Sequence, residues 1–208
     1  MAQRFQVHPD HPHLRPLRQA AQLIESGGVA AVPTDSCYAL ACHLDDREAV
    51  DRLRRIRNVD QRHHLTLLCR DLHEIAEYAK VDNAKYRLLK QVTPGPYTFI
   101  FEATREIPRR LSHPSRKTIG IRIPAHPVTL ALLEVLGQAL ISSTLILPGD
   151  ELPLNDPDEI RARLEHDIDL LIDAGACGIE PTTVVDLSGR EAIVVRRGRG
   201  PLEALGLG

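Results

Sequence analysis

The amino-acid sequence predicts an α/β or α+β domain built on a mixed sheet. Apolar residues recur at helical spacing in some stretches and alternate with period two in others. The two kinds of stretch interleave along the chain, which calls for helices packed on a sheet. The last two strand-like stretches flank Ser188-Gly189, a hairpin turn, so some of the pairing is antiparallel.

The elements follow in order. Residues 8–13 hold His8, His11 and His13 around Pro9 and Pro12, and the tract 1–13 is expected to be mobile. Leu14, Leu17, Ala21 and Ile24 mark a helix that Gly27-Gly28 stops. Val29–Val32 is a short buried strand cut by Pro33. A second helix spans Asp46–Arg57 with Ala49, Val50, Leu53 and Ile56 inward. Leu65–Cys69 has strand length, and Asp71 with Glu74 reads as a capping box opening the next helix. A further helix follows Asp82 and breaks at Pro94-Gly95-Pro96, and Tyr97–Glu102 is a strand.

Residues 118–123 alternate closely. Ile119, Ile121 and Ile123 share one side; Thr118, Gly120 and Arg122 share the other. Pro124 ends that strand, and a helix over 127–136 runs to Gly137. Ala139–Leu147 is apolar with embedded hydroxyls. Asp156 and Pro157 start another helix, and Ile168–Ile172, Thr183–Leu187 and Ala192–Arg196 are strands. All 208 residues are expected to form one domain.

Composition narrows the function classes. Hydrophobic content of 43% and charged content of 26% are ordinary for a water-soluble protein. No apolar run is long enough for a membrane span, and the N-terminal residues contain no secretory h-region. Four cysteines without a CxxC pair fit reduced thiols and a cytoplasmic location. A net charge of −2 argues against a surface that grips nucleic acid everywhere. Without tryptophan, and with three phenylalanines and four tyrosines, an aromatic platform for bases is not expected.

Polar groups gather at four strand or helix ends. Thr34, Asp35 and Ser36 could meet a ligand, or could bond their own backbone in a turn. Arg54, Arg55 and Arg57, followed by Arg62-His63-His64 and Thr66, gather cations at a helix C-terminus. Ser142-Ser143-Thr144 puts consecutive hydroxyls in an apolar strand, to be met by cross-strand bonds or by a ligand. Thr182 and Arg196 become neighbours across the hairpin. No GxSxG, HExxH, P-loop or GxGxxG motif is present. Cys37 with His43 could be drawn as a nucleophile and base, but a small core cysteine needs no such arrangement. No catalytic side chain and no metal ligand set is expected. A hollow rich in hydroxyls and arginines suits a small anion, with nucleotide phosphate the natural candidate.

These segments resemble the YrdC/YciO family, and its YciO branch most closely. The likeness runs from about residue 14 to 205 through PTDSCYAL (33–40), TPGPYTFIF (93–101), KTIGIRIPAHP (117–127), SSTLILPG (142–149), PTTVVDL (181–187) and VVRRG (194–198). The resemblance implies a twisted, mostly parallel sheet flanked by helices, with a large open cavity on one face. It implies threonylcarbamoyl-AMP synthesis from L-threonine, bicarbonate and ATP with Mg²⁺, feeding threonylcarbamoylation of adenosine in tRNA, and RNA binding at the cavity rim.

Carried over by position, the resemblance makes Thr34, Thr66, Arg122, Ser142 and Thr182 substrate-binding residues, with Arg122 on the threonine carboxylate. Arg57, Thr118, Thr144 and Arg196 face the nucleotide. Two motifs depart from the synthases. Their Lys-x-Arg reads Arg57-Asn58-Val59 here, and their Ser-x-Asn reads Thr144-Leu145-Ile146. The departures, with Arg105, Arg109, Arg110 and Arg116, motivate an alternative: a weakly active or non-catalytic protein attached to tRNA or rRNA.

Overall fold

The computed structural model describes residues 1–207, and one ten-stranded sheet runs through it. The strands are β1 (Gln3–Gln6), β2 (Ala30–Val32), β3 (Ala39–His43), β4 (Thr66–Leu68), β5 (Tyr97–Glu102), β6 (Thr118–Arg122), β7 (Leu140–Thr144), β8 (Leu170–Asp173), β9 (Thr183–Asp186) and β10 (Ile193–Arg196). The helices are α1 (Leu14–Glu25), α2 (Arg47–Arg57), α3 (Leu72–Tyr78), α4 (Asn83–Val92), α5 (Pro127–Leu136) and α6 (Pro157–Leu164).

Four of the six helices start where a side chain offers an acceptor to their first free amides; α1 and α5 start without one. Asp46 caps α2 through the Ala49 amide at 2.9 Å, and Asp71 caps α3 through the Glu74 amide at 2.9 Å. Asp82 and Asp156 do the same for α4 and α6. The expected box at α3 is modified, because the Glu74 carboxylate accepts the Arg70 amide at 2.7 Å. Asn58 ends α2 in the left-handed region at φ 50°, a conformation asparagine tolerates.

From edge to edge the strands run β1-β8-β2-β3-β7-β4-β6-β5-β9-β10. The sheet is mixed, as the interleaving predicts. Four neighbouring pairs are parallel and five antiparallel, which corrects the mostly parallel sheet implied by the resemblance. One cause is local: residues 33–38 between β2 and β3 are too few for a crossover. That strand β3 is absent from the sequence reading, which takes 33–40 as a strand end and turn. A second correction concerns the N-terminus. Gln3–Gln6 is not part of a mobile tract but strand β1, parallel to β8, with Arg4 tied to Asp158 and Asp173.

The two faces of the sheet are covered differently. One carries Leu40, Leu67, Phe99, Phe101, Ile119, Ile121, Ile141 and Val185, packed with Leu53 of α2, Ile75 of α3, Leu89 of α4 and Ile160 of α6. The other carries Val32, Ala41, Leu140, Leu170 and Ile172 under Leu17 and Ile24 of α1 and Leu132 and Leu133 of α5. Those two helices cover this second face around β1, β8, β2, β3 and β7, with Leu68 of β4 at the border. Past them, over β4, β6, β5 and β9, the face is left open.

Truncating Ile121 to alanine, at the centre of the covered face, is expected to cost about 2–5 kcal/mol of stability by urea denaturation. Ile193→Ala on the edge strand β10, where the side chain is 62% exposed, is expected to stay within about 0.5 kcal/mol.

Candidate functional site

The open part of the second face is the floor of a cavity of 310 Å³. Period two builds it: while the odd-numbered residues of β5 and β6 enter the core, Thr98, Ile100, Gly120 and Arg122 turn toward the cavity. Register aligns them across strands, with Thr66 opposite both Gly120 and Ser142, and Ile100 opposite Gly120. Gly120 is required at this centre. A Cβ there would lie 2.9 Å from Thr66 Oγ1 and 3.1 Å from the Leu65 carbonyl.

Arginines come in from the rim. Arg57, in the last turn of α2, donates from Nε to Ser143 Oγ at 3.2 Å and from Nη1 to the Ile146 carbonyl. Arg196 lies on β10 beyond a bulge between Val194 and Arg196, which brings Arg196 opposite Val184. It donates from Nη2 to the Thr182 carbonyl at 2.9 Å and to Thr182 Oγ1 at 3.3 Å. Gly198 allows that approach, since a Cβ there would meet the Pro181 carbonyl at 2.3 Å. Burial lowers the pKa of both guanidiniums from the ordinary arginine value, and among the described residues neither has a carboxylate in ion-pair contact. They remain cations held by neutral acceptors.

Arg122 differs. It is buried and its Nη2 is paired with Asp35 Oδ1, which also accepts the Ala125 amide at 3.1 Å. The pair is single-pronged: Arg122 Nε and Asp35 Oδ2 are sealed from solvent without a partner among the described residues. Arg122 therefore faces the cavity with its charge already balanced, and Asp35 is an acceptor for an arginine instead of meeting a ligand or closing its own turn.

Of the predicted residues, Arg57, Thr66, Arg122, Ser142, Thr144, Thr182 and Arg196 line this one cavity. Thr34 does not. Its hydroxyl donates to the Cys37 carbonyl and accepts the Ser36 and Cys37 amides at 3.2 Å, so it shapes the turn that presents Cys37. The local alternative, a side chain closing its own turn, is the one realised. Thr118 does not line the cavity either; its Oγ1 pairs with His64 Nε2 at 2.8 Å. Ser142 donates to the Thr66 carbonyl at 2.9 Å, and Thr98 shares a hydrogen bond with Thr182 at 2.8 Å. The embedded hydroxyls thus satisfy one another across strands and keep lone pairs toward the cavity.

Thr98 is a lining residue that the sequence reading leaves out, and His63 and His64, read there only within the cation cluster after α2, line the cavity too. The alternation of Thr98 and Ile100 against Phe99 and Phe101 carries the signal for Thr98; the histidines lie on the loop after α2, where no periodicity exists. Burial, Arg57 and Arg54 lower the pKa of His63, and burial with His113 and Arg116 lowers that of His64. Burial pushes the Cys37 thiol up, while His43 bonds Gln138 at 2.6 Å, so no nucleophile and base pair forms. Among the described residues no three His, Cys, Asp or Glu come close enough to hold a metal ion, and no helix is long and apolar enough to cross a membrane.

This architecture has known counterparts. The model of the Sua5/YciO/YrdC family, described as telomere recombination, matches residues 22–198. The uncharacterized protein YciO of Escherichia coli K12 is 48% identical over 203 residues, 98% of each chain. Its crystal structure superposes with a TM-score of 0.95 over 99% of this chain and 100% of that one. A Threonylcarbamoyl-AMP synthase of Halorhodospira halophila is 33% identical over 190 residues, 89% of this chain and 97% of that one. The P. abyssi Sua5 structure with L-threonine, at 24% identity, shares the fold with a TM-score of 0.89 over 96% of this chain and 58% of that one. On the matched span and these identities, the chain belongs to the Sua5/YciO/YrdC family.

Proposed function

We propose that the cavity binds ATP with L-threonine and bicarbonate, and that the chain makes threonylcarbamoyl-AMP and pyrophosphate for tRNA modification in the cytoplasm. The observation that carries this reading is the pair Arg57 and Arg196: two guanidiniums without a carboxylate partner among the described residues, above a floor of hydroxyls. Such a site favours a polyanion whose charge is neutralised at several points. The relative named as a synthase and the L-threonine carried by P. abyssi Sua5 support the choice of reaction and amino acid.

The chemistry asks little covalent work of the protein. The threonine amine and bicarbonate condense to a carbamate with loss of water. A carbamate oxygen then attacks the α-phosphorus, and pyrophosphate leaves. The chain's task is alignment and charge neutralisation, with Mg²⁺ entering on the phosphates. A resident metal does not suit a wall of arginines and hydroxyls. Arg122, balanced by Asp35, orients the threonine carboxylate.

Two departures from the synthases set the rate. Val59 and Ile146 replace a cation and an amide, and Ile146 lines the cavity. Each lost polar contact is worth ~1–3 kcal/mol, about tenfold to a hundredfold in transition-state binding. That substitution favours a second reading, a cavity retained without efficient chemistry on a protein that binds tRNA or rRNA. Arg105, Arg109, Arg110 and Arg116, all exposed, would supply the phosphate contacts.

Incubation with L-threonine, bicarbonate and α-labelled ATP should release pyrophosphate and a threonylcarbamoyl adenylate; absence of both retires the synthase reading. Arg57→Ala and Arg196→Ala should each lower turnover about tenfold to a hundredfold. If the RNA reading holds, gel-shift affinity for tRNA should fall steeply between 50 and 200 mM salt, roughly in proportion to the phosphates contacted. Affinity indifferent to salt would remove it.

A further inference from the structure

The cavity wall contains two aromatic rings among the described residues, the imidazoles of His63 and His64. No Phe or Tyr lines it. A nucleobase entering this hollow can stack only on one of these rings or on a guanidinium plane.

His64 is built to stay in place. Its Nε2 pairs with Thr118 Oγ1 at 2.8 Å, and its ring stacks on His113 with centroids 5.0 Å apart and planes 25° from parallel. His113 is itself pinned. Its Nδ1 accepts the Ser115 and Arg116 amides at 3.3 and 3.2 Å, its own amide donates to the Thr118 carbonyl, and the Lys117 amide donates to the His113 carbonyl. Lys117 takes φ 55°, a left-handed conformation that closes this turn behind the ring pair. His63, by contrast, is the more solvent-accessible of the two side chains, and its ring nitrogens have no partner among the described residues.

Position along the floor gives His64 a side. Thr118 and Arg122 stand at opposite ends of β6, four residues apart, roughly 13 Å at 3.3 Å per residue. With an amino-acid carboxylate at Arg122, a nucleoside joined to it through a phosphate reaches the His64 end. We propose that His64, backed by His113 and fixed by Thr118, is the nucleobase-facing wall of the cavity and the side chain that separates a nucleotide from a bare polyphosphate. The inference rests on the nucleotide reading above and adds to it the residue that reads the base. Burial keeps this imidazole neutral at pH 7, which suits a flat contact with a purine.

Calorimetric titration with ATP and with inorganic tripolyphosphate, which has the phosphates and no base, tests it. The wild-type protein should bind ATP more tightly than tripolyphosphate. His64→Ala should weaken ATP about tenfold and leave tripolyphosphate within about twofold. An unchanged ATP affinity, or equal losses for both ligands, overturns the assignment while leaving the nucleotide reading intact. A wild-type protein that binds neither ligand overturns both. Should His64→Ala not fold, His113→Ala, whose ring does not line the cavity, carries the same test: a selective loss of ATP supports the ring pair, and unchanged or equally reduced affinities for the two ligands reject it.

Discussion

A strand has two faces, and in this sheet each face must meet different demands. The face toward α2, α3, α4 and α6 is mainly apolar across the central strands, with Ser143 and Thr183 as buried polar exceptions. The opposite face is packed beneath α1 and α5 and, beyond them, mixes hydroxyls and arginine with Leu68, Ile100 and Val184. Every feature of the site depends on that division. Because Ile119 and Ile121 hold β6 in the core, Gly120 and Arg122 are delivered to the cavity at a fixed height and spacing. A slip of one residue would bury the guanidinium in hydrocarbon and turn the isoleucines toward water.

Charge is then arranged unevenly over the floor. Arg122 is balanced by Asp35; Arg57 and Arg196 are held by carbonyl and hydroxyl oxygens alone. Neutral acceptors fix the geometry of a guanidinium without cancelling its field, so the attraction for an anion is concentrated at the α2 and β10 side. The Asp35 end is polar but nearly neutral. Such a gradient can orient a molecule with a highly charged end and a zwitterionic one.

Much of this is legible in the sequence, and the reasons differ by element. Alternation makes β5 and β6 readable, because burial on one side forces a period on both. Caps make α2, α3, α4 and α6 readable, since Asp46, Asp71, Asp82 and Asp156 have one evident task. β1 is not readable: Gln3, Arg4 and Gln6 leave Phe5 as its one apolar residue, and its place depends on β8, far along the chain. β3 hides behind a proline turn whose polar residues suggest a loop. At the site, seven of nine predicted residues share the cavity, drawn from β4, β6, β7, β10, the approach to β9 and the last turn of α2. Thr34 and Thr118 lie off it because their hydroxyls have other partners, Thr34 within its own turn and Thr118 with His64 on a distant loop, and spacing does not reveal either. His64 is visible in the sequence only as one of the cations after α2; its pairing with His113, which lies beyond two strands, is not.

The bulge that re-aims Arg196 has another effect. β10 is the last strand of the sheet, so its outer ladder is unpaired, and Ile193 and Val195 on it are more than half exposed. An unpaired border with exposed apolar side chains invites a foreign chain to zip on. The irregularity between Val194 and Arg196 spoils the regular spacing such a guest would need, and Arg196 and Arg197 add charge beside it. The same kink that sets Arg196 against Thr182 therefore also guards the molecule against self-templated aggregation.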